Sequence, residues 1–154
     1  MELADLVTAA AVLPSVKATS KKQVLQEIAH KASDLYGLHC GTIVNGLIAR
    51  EKLGSTAMGN GVAIPHARVE GLERILGVFA RLDKPVDFEA ADSQGVDLVF
   101  ALLAPEAADA NHLRALAKVS RTMRDAEIRR KLRASDNAAS LHALLTETQA
   151  SRAA

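Results

Sequence analysis

Residues 96–103 read Val-Asp-Leu-Val-Phe-Ala-Leu-Leu, an almost unbroken apolar run in a segment of strand length. A strand with one wet face alternates apolar and polar residues, whereas a run without alternation needs cover on both sides. Any fold this chain adopts must therefore lay other elements above and below residues 96–103. Ile75–Leu82 reads as a second strand and Val62-Ala63-Ile64 as a short third. Lys84–Phe88 reads as a further short strand or a turn. Val12–Val16 is predicted at a sheet edge, because Pro14 has no N–H to give to a central ladder. Covering helices are predicted on either side of these strands. Ser20 and Gln23 have capping-box spacing ahead of Val24, Leu25, Ile28, Ala29, Ala32 and Leu35, and Gly37 closes that helix. A second helix runs from about Gly41 to Lys52, with Ile43, Leu47 and Ile48 inward. Three more are expected over Asn111–Met123, Asp125–Arg133 and Asp136–Thr148. Helices before and after a small buried sheet predict an α/β sandwich.

The 154 residues contain no internal repeat and no low-complexity linker, which predicts one domain over 1–154 with an ordered core of about 3–149. Nineteen Lys and Arg against eighteen Asp and Glu leave a net charge of +1. No strong field then draws the chain to nucleic acid or to an anionic membrane. Three Phe, one Tyr and no Trp argue further against stacking on single strands. Cys40 is the only cysteine, so there is neither an internal disulfide nor a thiolate cage for zinc. The first residues, MELADLV, carry acids where a signal peptide carries bases, and no apolar run reaches the roughly 20 residues of a membrane helix. A cytoplasmic protein without membrane insertion is expected.

Residues 50–68, REKLGSTAMGNGVAIPHAR, hold the chemistry. The glycines suggest a phosphate loop, but Asn60 and Gly61 stand where the nucleotide-binding pattern needs Lys and Ser/Thr. What remains is either a cradle of backbone N–H groups for an anion or a tight glycine turn after a helix. His66 is equally open: structural, metal ligand, general base or nucleophile. The five histidines show no metal-binding pair and no G-x-S-x-G elbow accompanies them. A nucleophilic imidazole attacking phosphorus suits the surroundings best, with Arg50 or Arg68 to steady the anion. Asp109-Ala-Asn-His112-Leu puts a second histidine in the first turn of a predicted helix, where imidazolium is disfavoured and an anion can be held; a surface capping residue reads as well. His30 and His142 read as ordinary helix residues, and His39 as a residue following a helix end.

The stretch from Arg50 to Thr56 followed by Gly59-Asn-Gly-Val-Ala-Ile-Pro-His-Ala67 resembles the phosphorylation site of enzyme IIA domains. These form the fructose/mannitol class of the phosphoenolpyruvate-dependent phosphotransferase system. The likeness continues through Ile75–Leu82, Val96–Pro105 and His112-Leu113, and so covers essentially the whole chain. Its wording and the stand-alone length are most similar to the nitrogen-regulatory branch of that class. The resemblance implies a single-domain α/β fold, a mixed central β-sheet flanked by helices on both faces. It implies that His66 takes a phosphoryl group on Nε2 from a phosphorylated HPr/NPr-like carrier. It also implies that His112 orients or stabilises that group, that Arg50 neutralises its charge, and that Ser55 and Thr56 line the pocket. Arg68, in an Ala67-Arg68 pair where some members have Gly or Lys, is a further candidate for the phosphate pocket. No metal, nucleotide or other cofactor is implied. Regulated partners in the class include potassium transporters and sensor kinases. Two other functions are weighed beside this one: a sugar-specific enzyme IIA that hands phosphate to a IIB domain, and a protein-interaction regulator without catalysis.

Overall fold

The structure, a computed structural model, describes residues 2–107 and 110–153, with side chains described as far as residue 147. The expected domain span of 1–154 therefore includes Met1, Ala108, Asp109 and Ala154, which lie outside the described residues.

Helix α1 (Leu3–Leu6) and a 3-10 turn (Ala9–Ala11) lead into β1 (Val12–Val16). Helices α2 (Lys21–Tyr36) and α3 (Cys40–Lys52) follow, then β2 (Ala57–Gly59), β3 (Val62–Ala63) and β4 (His66–Val69). The long strands β5 (Leu76–Val86) and β6 (Val96–Pro105) precede α4 (Ala110–Met123), α5 (Ala126–Arg133) and α6 (Ala138–Ala153). The six strands form one mixed sheet in the order β1-β5-β6-β3-β2, with β4 also on β6. β1 is parallel to β5, β5 antiparallel to β6, and β3 and β4 both parallel to β6. β1 lies at the edge, as Pro14 requires.

The apolar run of β6 is central and covered twice. Val99, Ala101 and Leu103 pack with Val24, Leu25, Ile28, Ile43 and Leu47 of α2 and α3. Leu98, Phe100 and Leu102 pack on the other side with Leu3, Val119, Met123, Leu132 and Leu141 of α1, α4, α5 and α6. Phe79 and Phe100 are cross-strand partners with ring centroids 6.1 Å apart, edge to face. Such a pair adds about 1 kcal/mol to its area burial.

Three departures from the sequence reading bear on the site. Lys84-Pro85-Val86 is the end of β5 and not a separate element. The ladder to β6 shifts between Arg81 and Val86, which is where a proline can sit inside a strand. Ala57–Gly59 and His66–Val69, read as loop, are strands. Ala57–Gly59 is three residues long, and the polar–apolar alternation of His66–Val69 lasts only four residues, too short to stand out as a strand. Finally, Asn60 and Gly61 have φ of 57° and 77° and join β2 to antiparallel β3. This Asn-Gly pair is a two-residue hairpin turn of the kind that needs positive φ at both positions. Its N–H groups are not an anion cradle: the Asn60 N–H donates to Asp92 Oδ2 at 3.0 Å. Ser20 does cap α2 by accepting from the Gln23 N–H, but Gln23 reaches back to Thr19 rather than to Ser20.

Candidate functional site

β3 and β4 run one after the other along β6, interrupted by Ile64-Pro65. Pro65 cannot donate to the ladder, yet its carbonyl accepts from the Leu102 N–H at 2.9 Å. The strand resumes at His66, which pairs with Leu102. His66 is therefore held by the sheet beside its longest buried strand. Its Nδ1 lies 2.9 Å from the Ile64 carbonyl oxygen and its Nε2 3.1 Å from Arg50 Nε. A carbonyl only accepts and a guanidinium only donates, so the proton is on Nδ1 and the lone pair on Nε2.

Arg50 stands in the last turn of α3, where a cation suits the helix dipole. Its Nη1 donates to the Gly54 carbonyl at 2.9 Å while its Nε serves His66. His112, in the first turn of α4, is buried, and its ring meets that of His66 edge to face at 5.7 Å. Its Nδ1 has no hydrogen-bond partner among the described residues. Burial pulls the pKa of His66 below the ordinary histidine value, and the Arg50 cation adds to this against the pull of the Ile64 carbonyl. Burial does the same to His112, helped by His66 and by Arg68, which is exposed on β4. Two neutral imidazoles thus face each other between two guanidinium groups.

Both histidines, Arg50 and Arg68 line one open cleft of about 470 Å³, with Gly46 and Ala49 from α3. Leu53 and Leu113 also line it and are 85% and 68% exposed. No carboxylate lines it among the described residues. An exposed apolar rim around a cationic centre, with an imidazole lone pair held by a guanidinium that can turn to an anion, suits a protein that brings an anionic electrophile.

Ser55 and Thr56 are not brought to this cleft, contrary to the expectation from the sequence. The Ser55 hydroxyl donates to the Phe88 carbonyl and accepts from the Ala57 N–H. The Thr56 hydroxyl donates to Glu51 Oε1, and the Thr56 N–H to Glu51 Oε2 at 3.2 Å. Both pin the chain between α3 and β2. Asp109, which opens the stretch containing His112, lies outside the described residues. The remaining histidines are structural or exposed. His39 caps α3 by accepting from the Thr42 N–H, His142 Nε2 meets the Val7 carbonyl at 3.0 Å, and His30 is exposed on α2.

Glu51 was not singled out in the sequence. It is buried beside Arg50 but turns the other way, taking both Thr56 groups and Lys21 Nζ at 3.1 Å. Its only sequence signal is a carboxylate at the end of a helix, which is usually a solvated residue. Glu51→Ala leaves the Thr56 N–H and hydroxyl without their acceptor and the Lys21 ammonium with Glu89 alone, and should cost about 3 kcal/mol in urea unfolding. A loss below about 1 kcal/mol would mean that this carboxylate does not hold the loop.

Residues 5–148 match the family described as "Phosphoenolpyruvate-dependent sugar phosphotransferase system, EIIA 2". The chain belongs to the EIIA type-2 family of the phosphotransferase system. Within it, a nitrogen regulatory protein of Bradyrhizobium diazoefficiens is 54% identical over 145 residues, 94% of this chain and 95% of the relative. The crystal structure of the nitrogen regulatory protein IIA-Ntr from Neisseria meningitidis superposes with a TM-score of 0.88. It is 35% identical and covers 94% of this chain and 99% of its own. The mannitol IIA of Escherichia coli shares the fold with a TM-score of 0.76 at 20% identity, over 91% of this chain and 99% of its own. The chain is thus a nitrogen-regulatory type of EIIA, a family of phosphotransfer proteins. No helix among its described residues is long and apolar enough to cross a membrane.

Proposed function

We propose that this EIIA protein is a phosphoryl-carrier regulator that takes a phosphoryl group on His66 Nε2 from a phosphorylated HPr/NPr-like carrier. The observation that carries this reading is the orientation of His66. Its Nδ1–H is bonded to the Ile64 carbonyl, so the lone pair is on Nε2, where the Arg50 Nε–H holds it at the cleft that both residues line. In the transfer, the Arg50 N–H leaves Nε2 for an incoming phosphoryl oxygen, and the lone pair so released forms a bond to phosphorus as the phosphorus–nitrogen bond of the donor phosphohistidine breaks. The electron pair of that bond returns to the donor's imidazole. The Nδ1 proton stays on the Ile64 side, so no general base is needed. Arg50 offsets the charge of the phosphoryl oxygens as they arrive, and Arg68 on the rim adds to it. His112 is the group that receives a phosphoryl oxygen through a ring N–H.

The regulatory reading is supported by the nitrogen regulatory relative, which this chain matches over nearly its full length. A phosphoryl group adds up to two negative charges beside exposed Leu53 and Leu113, enough to open or close that surface to a partner. By the likeness to the class, the partners are potassium transporters or sensor kinases. The test is incubation with phosphoenolpyruvate, enzyme I and the carrier. The protein should gain about 80 Da as an acid-labile, base-stable adduct, and no gain would end the carrier reading. His112→Ala should leave the adduct on His66 but slow its formation about 10- to 100-fold in rapid-quench measurements. An unchanged rate would remove His112 from the mechanism.

A further inference from the structure

Gly46 lies one turn before Arg50 on α3, so the two share a helix face, and both line the cleft. A methyl group built at Gly46 would stand 3.2 Å from the Ala67 methyl and 3.8 Å from the Arg68 carbonyl oxygen. Carbon atoms in ordinary contact sit about 3.5–4.0 Å apart. The helix has therefore come nearer to β4 here than most residues with a side chain allow, and a methyl at 46 would need a few tenths of an ångström of give. Ala67 is buried and follows His66 directly. This close approach thus adjoins the His66 imidazole on the strand and lies one turn from its guanidinium partner on the helix. The Arg50 Nε to His66 Nε2 distance of 3.1 Å is already toward the long side for a hydrogen bond, and a few tenths of an ångström more would weaken it.

We infer that Gly46 is a positioning residue: its missing side chain lets α3 seat on Ala67 and thereby sets the distance from Arg50 to His66 Nε2. Glycine is a poor helix former, and Gly46 has an ordinary helical φ rather than one that only glycine adopts. Close packing is the local reason for it. Alanine at 46 improves the helix in isolation while pressing it off the strand. Stability and site geometry should then move in opposite directions, which a merely structural role would not produce.

The experiment compares wild type, Gly46→Ala, Ala67→Gly and the double variant in the full chain. Gly46→Ala should keep or raise the melting temperature. Its His66 should titrate at higher pH by NMR, because the Arg50 cation has moved away while Glu51, Arg68 and His112 keep their places. Phosphoryl uptake from the carrier should fall about 5- to 10-fold, the effect of loosening one charged contact. Removing the Ala67 methyl in the double variant should restore both the titration and the rate to within about twofold of Ala67→Gly alone. A Gly46→Ala protein with wild-type titration and rate would overturn the inference, as would a double variant that stays as impaired as the single. The uptake arm rests on the proposed carrier function, but the titration arm does not. Failure of wild type to take a phosphoryl group would sink that function and leave the titration to decide the role of Gly46.

Discussion

His66→Ala, incubated with phosphoenolpyruvate, enzyme I and the HPr/NPr-like carrier, should show no mass gain at all. Relocation of the group to another histidine is not expected. His112 is the one other imidazole in the cleft, but it is buried and lacks the Arg50 contact that marks His66. His39 and His142 are committed to backbone groups, and His30 stands away on α2. The protein should still fold, because the variant forfeits one edge-to-face ring contact and two hydrogen bonds, about 3 kcal/mol together. A folded His66→Ala protein that still acquires an acid-labile adduct would refute His66 as the acceptor. One that gains nothing, yet binds and regulates partners as wild type does in both carrier states, would make phosphotransfer incidental and leave an interaction module.

Arg50→Met should lower the transfer rate about 10²- to 10³-fold, the usual cost of removing one pre-set donor from a developing anion. Methionine keeps the apolar stem over the α3–β4 contact and removes only the guanidinium. Arg50→Lys should recover part of the rate, since it restores the charge but not the two-armed reach from Gly54 to His66. The pH profile gives an independent check. The folded pKa of His66 lies below its unfolded value, so the nucleophile is fully available above about pH 6.5. Both the rate and this group's share of stability fall as pH drops through the folded pKa. Burial is the main cause of the depression and Arg50 a lesser one acting in the same direction. In Arg50→Met the acid limb of the rate profile should therefore move to higher pH. An acid limb that stays put, or a rate within about threefold of wild type, would show that Arg50 is not the charge partner of His66.

How much of this was legible in the residues depends on whether the signal is local. The β6 run, the Ser20 cap and the spacing of Val24, Leu25, Ile28, Ala29 and Ala32 on α2 each reflect one element's own burial, and the structure follows them. The residues left Arg50 and Arg68 as alternatives beside His66, and the choice of Arg50 came through resemblance, because a 16-residue separation has no period of its own. Ser55 and Thr56 sit between the two in sequence, and the resemblance implied that they line the same pocket. Their hydroxyls are instead taken by Phe88 and Glu51. A hydroxyl goes to the nearest buried acceptor it can satisfy, and which acceptor is nearest is decided after the chain has turned.

The sequence by itself determined that a twice-covered strand lies at the centre and that helices cover it, and it singled out 50–68 as the candidate reactive segment. It also excluded a nucleotide loop, because the lysine is missing. Tertiary structure decided the rest. It made Asn60-Gly61 a hairpin turn instead of an anion cradle, and it placed His66 on a strand that Pro65 interrupts. It brought His112 from 46 residues away to the other side of the cleft. The physical reason is that periodicity and capping are properties of neighbouring residues, whereas the direction of a lone pair is set by whatever the sheet and the helices bring within hydrogen-bond reach. For His66 those partners are the Ile64 carbonyl and a guanidinium seated by the packing of α3 on β4.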